Sequence, residues 1–215
     1  MEPNFAGSGR TCLRLIRGHG DASLPTRPGV QLGSSSSWRS RVPSTPMTPK
    51  QRDLLLALVL VPGDAEPIDP ESVLNAFGMT DGVQLASQLV TEAVASRSAV
   101  DLELSLIATS AFGFPDDLNE TFIGLLDADW HHSHEDLVRT VAQLNLPQAV
   151  PALRRTAVWV PGYLEFDDSR ALARKAIHAL GRIPGVEATS ALEELADSEP
   201  PELAAVAQRQ LKRRS

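Results

Sequence analysis

From residue 47 onward, apolar residues return every third or fourth position between helix-capping residues, the pattern of amphipathic helices and not of strands. Thr48 is placed to N-cap a helix with Pro49 in its first turn, leading into the apolar block 54–61 that Pro62 and Gly63 close. Asp69, Pro70 and Glu71 open a short helix ended by Gly78. Asp81 opens another, in which Val83, Leu85, Leu89, Ala93 and Val94 keep near-helical spacing. Ser98, with Asp101 three residues on, makes a capping-box-like start for a helix reaching about Ala111. Pro115, Asp116 and Asp117 start the next, which carries Leu118, Phe122, Leu125 and Leu126. No stretch alternates apolar and polar residues convincingly, so the expected fold class is all-α.

After residue 130 the pattern acquires a period. Ser133 begins a helix through Leu144, and Pro147 begins its partner. Residues 169–181 form a second first helix, with a partner over 185–196. A final helix follows Pro200 and Pro201, with Leu203, Ala204, Val206, Ala207 and Leu211 on its apolar face. The equivalent starts, His134, Arg170 and Glu202, lie 36 and 32 residues apart, which marks an internal repeat. Ala173, Ala176 and Ala179 form a small-residue seam that lets helices approach closely, and Gly181 is placed to take a left-handed C′ position.

Three features carry a family resemblance: Ala179-Leu180-Gly181-Arg182-Ile183, Ala188-Thr189-Ser190-Ala191-Leu192 and Ala196-Asp197. In that order they form a first helix ending in Ala-Leu-Gly, a short turn, and a second helix of the Ala-x-x-x-Leu kind followed by Asp. This resembles the HEAT-like repeats of the phycobilisome-lyase type. Ala149-Val150-Pro151-Ala152-Leu153 fits the same pattern, although Leu144-Asn145 stands where Leu-Gly is usual. The resemblance covers about residues 120–215. It implies a right-handed stack of antiparallel helix pairs, a HEAT-like α-solenoid; degenerate helical repeats are expected over 47–119, and the composition of 1–46 is that of a disordered tail or a mis-assigned start. One such fold hosts many functions.

Composition agrees with helices: 42% of residues are hydrophobic but only 5% aromatic, and Leu, Ala and Val carry the apolar content. No apolar run approaches the roughly 18–20 residues of a membrane helix. The single cysteine, Cys12, excludes an internal disulfide and lies beside no base that would make it a nucleophile. A cytoplasmic setting is therefore expected. Residues 1–46 are rich in Gly, Ser, Pro and Arg. They hold six arginines against Glu2 and Asp21, so a net +4 there within a total of −7 leaves −11 for the rest. Three readings of this segment stand: a solvated tail, a chain start mis-assigned upstream of Met47, or a transit peptide. An acidic body argues against nucleic acid as partner and is compatible with a basic protein.

Two groups of residues invite chemistry. The segment 127–136 holds His131, His132, His134, Asp127, Asp129, Glu135 and Asp136 within ten positions. Such ligands suit a divalent ion, but adjacent histidines point apart, so Ser133 capping the helix, with Trp130 packed under the turn, accounts for the cluster and no metal is expected. The loop 159–168 holds Trp159, Tyr163 and Phe166 interleaved with acids, the composition of a recognition loop. In stacked pairs the segments entering equivalent helices share one edge. An edge surface of Trp130, His131, His132, Tyr163, Phe166, Asp167 and Asp168 is therefore expected. The competing surface is the concave face of the second helices, with Gln148, Arg154, Arg155, Glu187, Glu193 and Glu194. His178 is expected to be buried and hydrogen-bonded, and the run Lys212-Arg213-Arg214 to complement the end of the last helix. No catalytic pair and no cofactor motif stands out. The expected function is a non-catalytic scaffold or adaptor, in its narrow form an immunity-type inhibitor masking a basic partner protein. The alternative is an enzyme, or an enzyme subunit, of the HEAT-repeat lyase type.

Overall fold

The computed structural model describes residues 47–59 and 68–214. The expectations for the tail 1–46, for Cys12 and for the Pro62-Gly63 stop lie outside these residues. Among the described residues the regular structure is wholly helical, with no strand. In chain order the helices are α1 (Pro49–Leu56), α2 (Pro70–Phe77), α3 (Gly82–Ser96), α4 (Ala99–Phe112) and α5 (Asn119–Leu125). They continue with α6 (His134–Leu144), α7 (Val150–Val158), α8 (Ala171–Arg182), α9 (Val186–Ala196) and α10 (Pro201–Arg214).

The early caps are those the sequence pattern predicts. Thr48 closes a full capping box: its hydroxyl oxygen accepts from the Gln51 amide at 3.3 Å, and the Gln51 side chain accepts from the Thr48 amide at 2.9 Å. Asp69, Asp81 and Ser98 each accept a first-turn N–H with the side chain. Gly78 ends α2 in the left-handed region at φ 67°. Two starts or stops differ. Helix α1 ends at Leu56 and not at 61, and residues 116–118 wind as a 3-10 turn ahead of α5.

The left-handed C-cap falls at Asn145 and not at Gly181. Asn145 takes the left-handed C-cap at φ 52°, a conformation that Asn tolerates better than most residues. Gly181 is instead helical, inside α8, and Ile183 is the C-cap. A Cβ at 181 would lie 2.4 Å from Oε1 of Gln210 on α10, so any larger residue there must displace that side chain.

Two apolar cores run through the chain. The smaller gathers Met47, Leu55, Val73, Leu85, Ala86, Leu89, Leu104 and Ala108. The larger begins at Val90, still inside α3, and reaches Ala207 in α10. Helices α3 and α4 therefore feed both. The most extensive helix contacts join α3 to α4, α7 to α8 and α9 to α10. Helix α8 also meets α6, α9 and α10, and α7 meets α9. Ala173, Ala176 and Ala179 are all buried at the centre of this packing.

Candidate functional site

The chain leaves α5 at Leu125 and enters α6 at His134, and the residues between must satisfy their backbone groups without helical partners. Two imidazoles do part of this. His131 Nε2 lies 3.0 Å from the carbonyl of Leu125, and His134 Nε2 lies 2.8 Å from that of Ala128. A carbonyl only accepts, so in both rings Nε2 carries the proton and Nδ1 is left as an acceptor. Nδ1 of His131 then takes the Ser133 amide at 3.2 Å, and Nδ1 of His134 takes the Tyr163 hydroxyl at 2.9 Å. Ser133 does occupy the N-cap position of α6, but its side chain makes no capping bond.

The two rings stack on each other, with centroids 4.3 Å apart. Trp130 meets His131 edge-on, and Trp159 meets His134 in the same way. His131 is 1% exposed and His134 is fully buried. Burial, followed by the neighbouring His134, pushes the His131 imidazole down to about 4. Burial likewise pushes His134 below its ordinary value. Both rings are neutral at neutral pH and act as structural clamps.

Tyr163 brings the second segment onto the first. It reaches across from a 3-10 turn at Gly162–Leu164, and its ring stacks on His132 at 4.3 Å while its hydroxyl donates to His134. Burial, ahead of its other influences, pushes the phenol up to about 12, so it remains a donor throughout the physiological range. Trp130, His131, His132 and Tyr163 thus form one contiguous group.

Two members of the expected edge surface do other work. His131 is buried and offers no area to a partner. Asp167 caps α8: one carboxylate oxygen accepts from the Ser169 amide and hydroxyl, and the other from the Ala171 amide at 2.8 Å. Those bonds, the Ser169 hydroxyl first, hold its carboxyl below the usual range. Asp168 is exposed, and Phe166 is 91% exposed. Of the eight large apolar residues most exposed among those described, four fall between 158 and 166: Val158, Val160, Tyr163 and Phe166. Half of these exposed apolar residues therefore lie within nine positions, at the end of α7 and in the loop that follows it. Beneath that loop the hollow beside Trp159, Leu164 and Arg170 holds about 10 Å³, room for roughly one water.

On the competing face the arginines are engaged within the fold. Arg154 pairs with Glu194 at 2.6 Å, joining α7 to α9, and Arg155 grips Asp127 through both Nε and an Nη. Gln148, Glu187 and Glu193 are exposed. The three histidines of 131–134 do not converge, and among the described residues no group of three or more His, Cys, Asp or Glu is arranged to hold a metal ion. His178 is exposed, not buried, and its Nδ1 accepts from Gln210 Nε2 at 2.8 Å. Arg214 serves α8 as well as its own helix, donating to the carbonyls of Leu180 and Ile183 at the α8 C-terminus.

Sequence reasoning missed His134 as the residue that ties both segments together. No local pattern signalled it, because residues 131–133 precede α6 and follow no helical period. Neither the family models nor the curated proteins and solved structures contain a match to this chain.

Proposed function

We propose that this protein is a non-catalytic scaffold that grips another protein through the edge formed by the loop 158–166 and the residues before α6. The observation that carries this reading is that Val158, at the end of α7, and Val160, Tyr163 and Phe166, in the loop after it, are all exposed, while the Tyr163 hydroxyl is tied to a buried imidazole. Tyr163, held by its hydrogen bond and its stacking on His132, loses little conformational freedom on binding, and aromatic anchors dominate interface energetics. Glu165 and Asp168 flank the rings and His132 extends them, so the surface suits a partner with basic residues around an apolar socket.

The architecture we infer behind this edge is a HEAT-like stack over α6–α10. Contacts from α6 to α8 to α10 along one row, and from α7 to α9 along the other, support it. In its narrow form the reading is an immunity-type inhibitor that covers a basic enzyme or toxin. The test is capture of a partner by the tagged full chain, compared with Phe166→Ala and Glu193→Lys. Phe166→Ala should abolish capture while Glu193→Lys retains it. The opposite pattern transfers the site to the face of the second helices and ends the edge reading.

A further inference from the structure

Helices α8 and α10 break with the charge of the rest of the chain. Together they carry Arg174, Lys175, Arg182, Arg209, Lys212, Arg213 and Arg214 against one acid, Glu202, in a protein of net charge −7. Two of these cations are engaged in the fold: Lys175 binds Glu135 of α6, and Arg214 closes the end of α8. Arg174, Arg209 and Arg213 are exposed and make no ion pair among the described residues.

Their placement is not diffuse. The hydrogen bond from Gln210 to His178 joins α10 to α8 in the middle of the group. Arg174 lies one turn before His178, and Arg209 and Arg213 flank Gln210. The imidazole of His178 is held below its ordinary value by partial burial first, then by Arg213, Arg174 and Arg209, so fields from both helices meet there. Such like-charge crowding is unfavourable in the free protein and is relieved by an anion.

We infer that the exposed face of α8 and α10 is a second docking surface, which takes a short acidic helix of another polypeptide across Arg174, His178, Arg209 and Arg213. Size selects this class of partner. Neighbouring helices lie about 8–10 Å apart and four residues advance about 6 Å along each, so the patch measures roughly 6 Å by 10 Å between its helical positions. Carboxylates one turn apart on a helix, about 5–6 Å between Cβ atoms, match that grid. Phosphate neutralisation dominates nucleic-acid affinity, and the three exposed arginines here neutralise few phosphates, so a long polyanion gains little from this patch. The surface is distinct from the edge carrying Tyr163 and Phe166, so either can fail without the other.

The probe is a fluorescent alanine-based helical peptide with glutamate at every fourth position, titrated at low salt against the full chain. A matched peptide with glutamine in place of glutamate, a DNA duplex, and vesicles of phosphatidylcholine and phosphatidylserine serve as comparisons. The glutamate peptide should bind, and the triple variant Arg174→Ala/Arg209→Ala/Arg213→Ala should weaken it at least about tenfold. Arg139→Ala, exposed on α6 and paired with Asp136, is the control for general charge and should leave binding unchanged. All four positions are on the surface, so circular dichroism should report an intact fold. Equal binding of the glutamine peptide, or equal affinity in the triple variant, overturns the proposal. So does tighter binding of the duplex or the vesicles that the triple variant abolishes, because the surface would then serve another class of partner.

Discussion

Tyr163 and His134, 29 residues apart in sequence, are joined by a hydrogen bond of 2.9 Å between the phenol oxygen and Nδ1. That bond closes a chain of donors and acceptors. The Ala128 carbonyl orients His134, His134 receives Tyr163, and Tyr163 stacks on His132. The exposed part of the loop is consequently held from below by a side chain that solvent does not reach.

Removing only the hydroxyl tests this link. Tyr163→Phe keeps the ring over His132 and leaves a buried acceptor unpaired, at a loss of about 1 kcal/mol. Denaturant unfolding should show that loss, and Phe166→Ala, at a side chain 91% exposed, should show none. Equal stability of Tyr163→Phe and wild type would mean that the bond holds nothing.

Acid should destabilise the fold through the two buried imidazoles. Their folded pKa values lie below the unfolded value of 6.5, so the unfolded chain binds more protons and stability falls as pH drops below 6.5. For His131 the loss runs down to its folded value of about 4 and amounts to about 3 kcal/mol at most. His131→Asn should flatten the dependence between pH 6.5 and 4. An unchanged slope in that variant would contradict the assignment.

The buried alanine seam gives a packing prediction. Ala176 has no exposed surface, so Ala176→Leu forces extra methyl groups between α8 and its neighbours. The expected loss is about 1–3 kcal/mol, against no more than about 0.5 kcal/mol for Glu193→Leu on the exposed side of α9. Comparable melting temperatures for the two variants would place Ala176 on the wrong face.

Gly181 offers a coupled test. Glycine inside a helix is about 1 kcal/mol less favourable than alanine, so Gly181→Ala would ordinarily stabilise. Here the new methyl group meets Gln210, whose side chain must leave His178 to make room. The gain should therefore be cancelled or reversed in the natural background and recovered when Gln210→Ala is also present. Additive effects in the double-mutant cycle would show that the two residues do not touch.

The sequence by itself determined the helices and most of their ends. Caps such as Thr48, Asp69, Asp81 and Ser98, and the stop at Gly78, act within three or four residues, so they are readable without knowing what packs where. It also marked out His132 and Tyr163 as neighbours, through the equivalence of the segments before His134 and Arg170. Tertiary structure alone decided what each chemical group does there. His131 and His134 are clamps because the folded turn between α5 and α6 brings the carbonyls of Leu125 and Ala128 to their Nε2 atoms, a meeting six residues apart that no local pattern records. The space at Gly181 is set by a side chain arriving from α10, and His178, on a helix rich in apolar residues, is exposed. Local periodicity records which face of a helix is apolar. It carries no information about which polar group of a distant helix arrives at that face, because those meetings are set by the packing of whole helices.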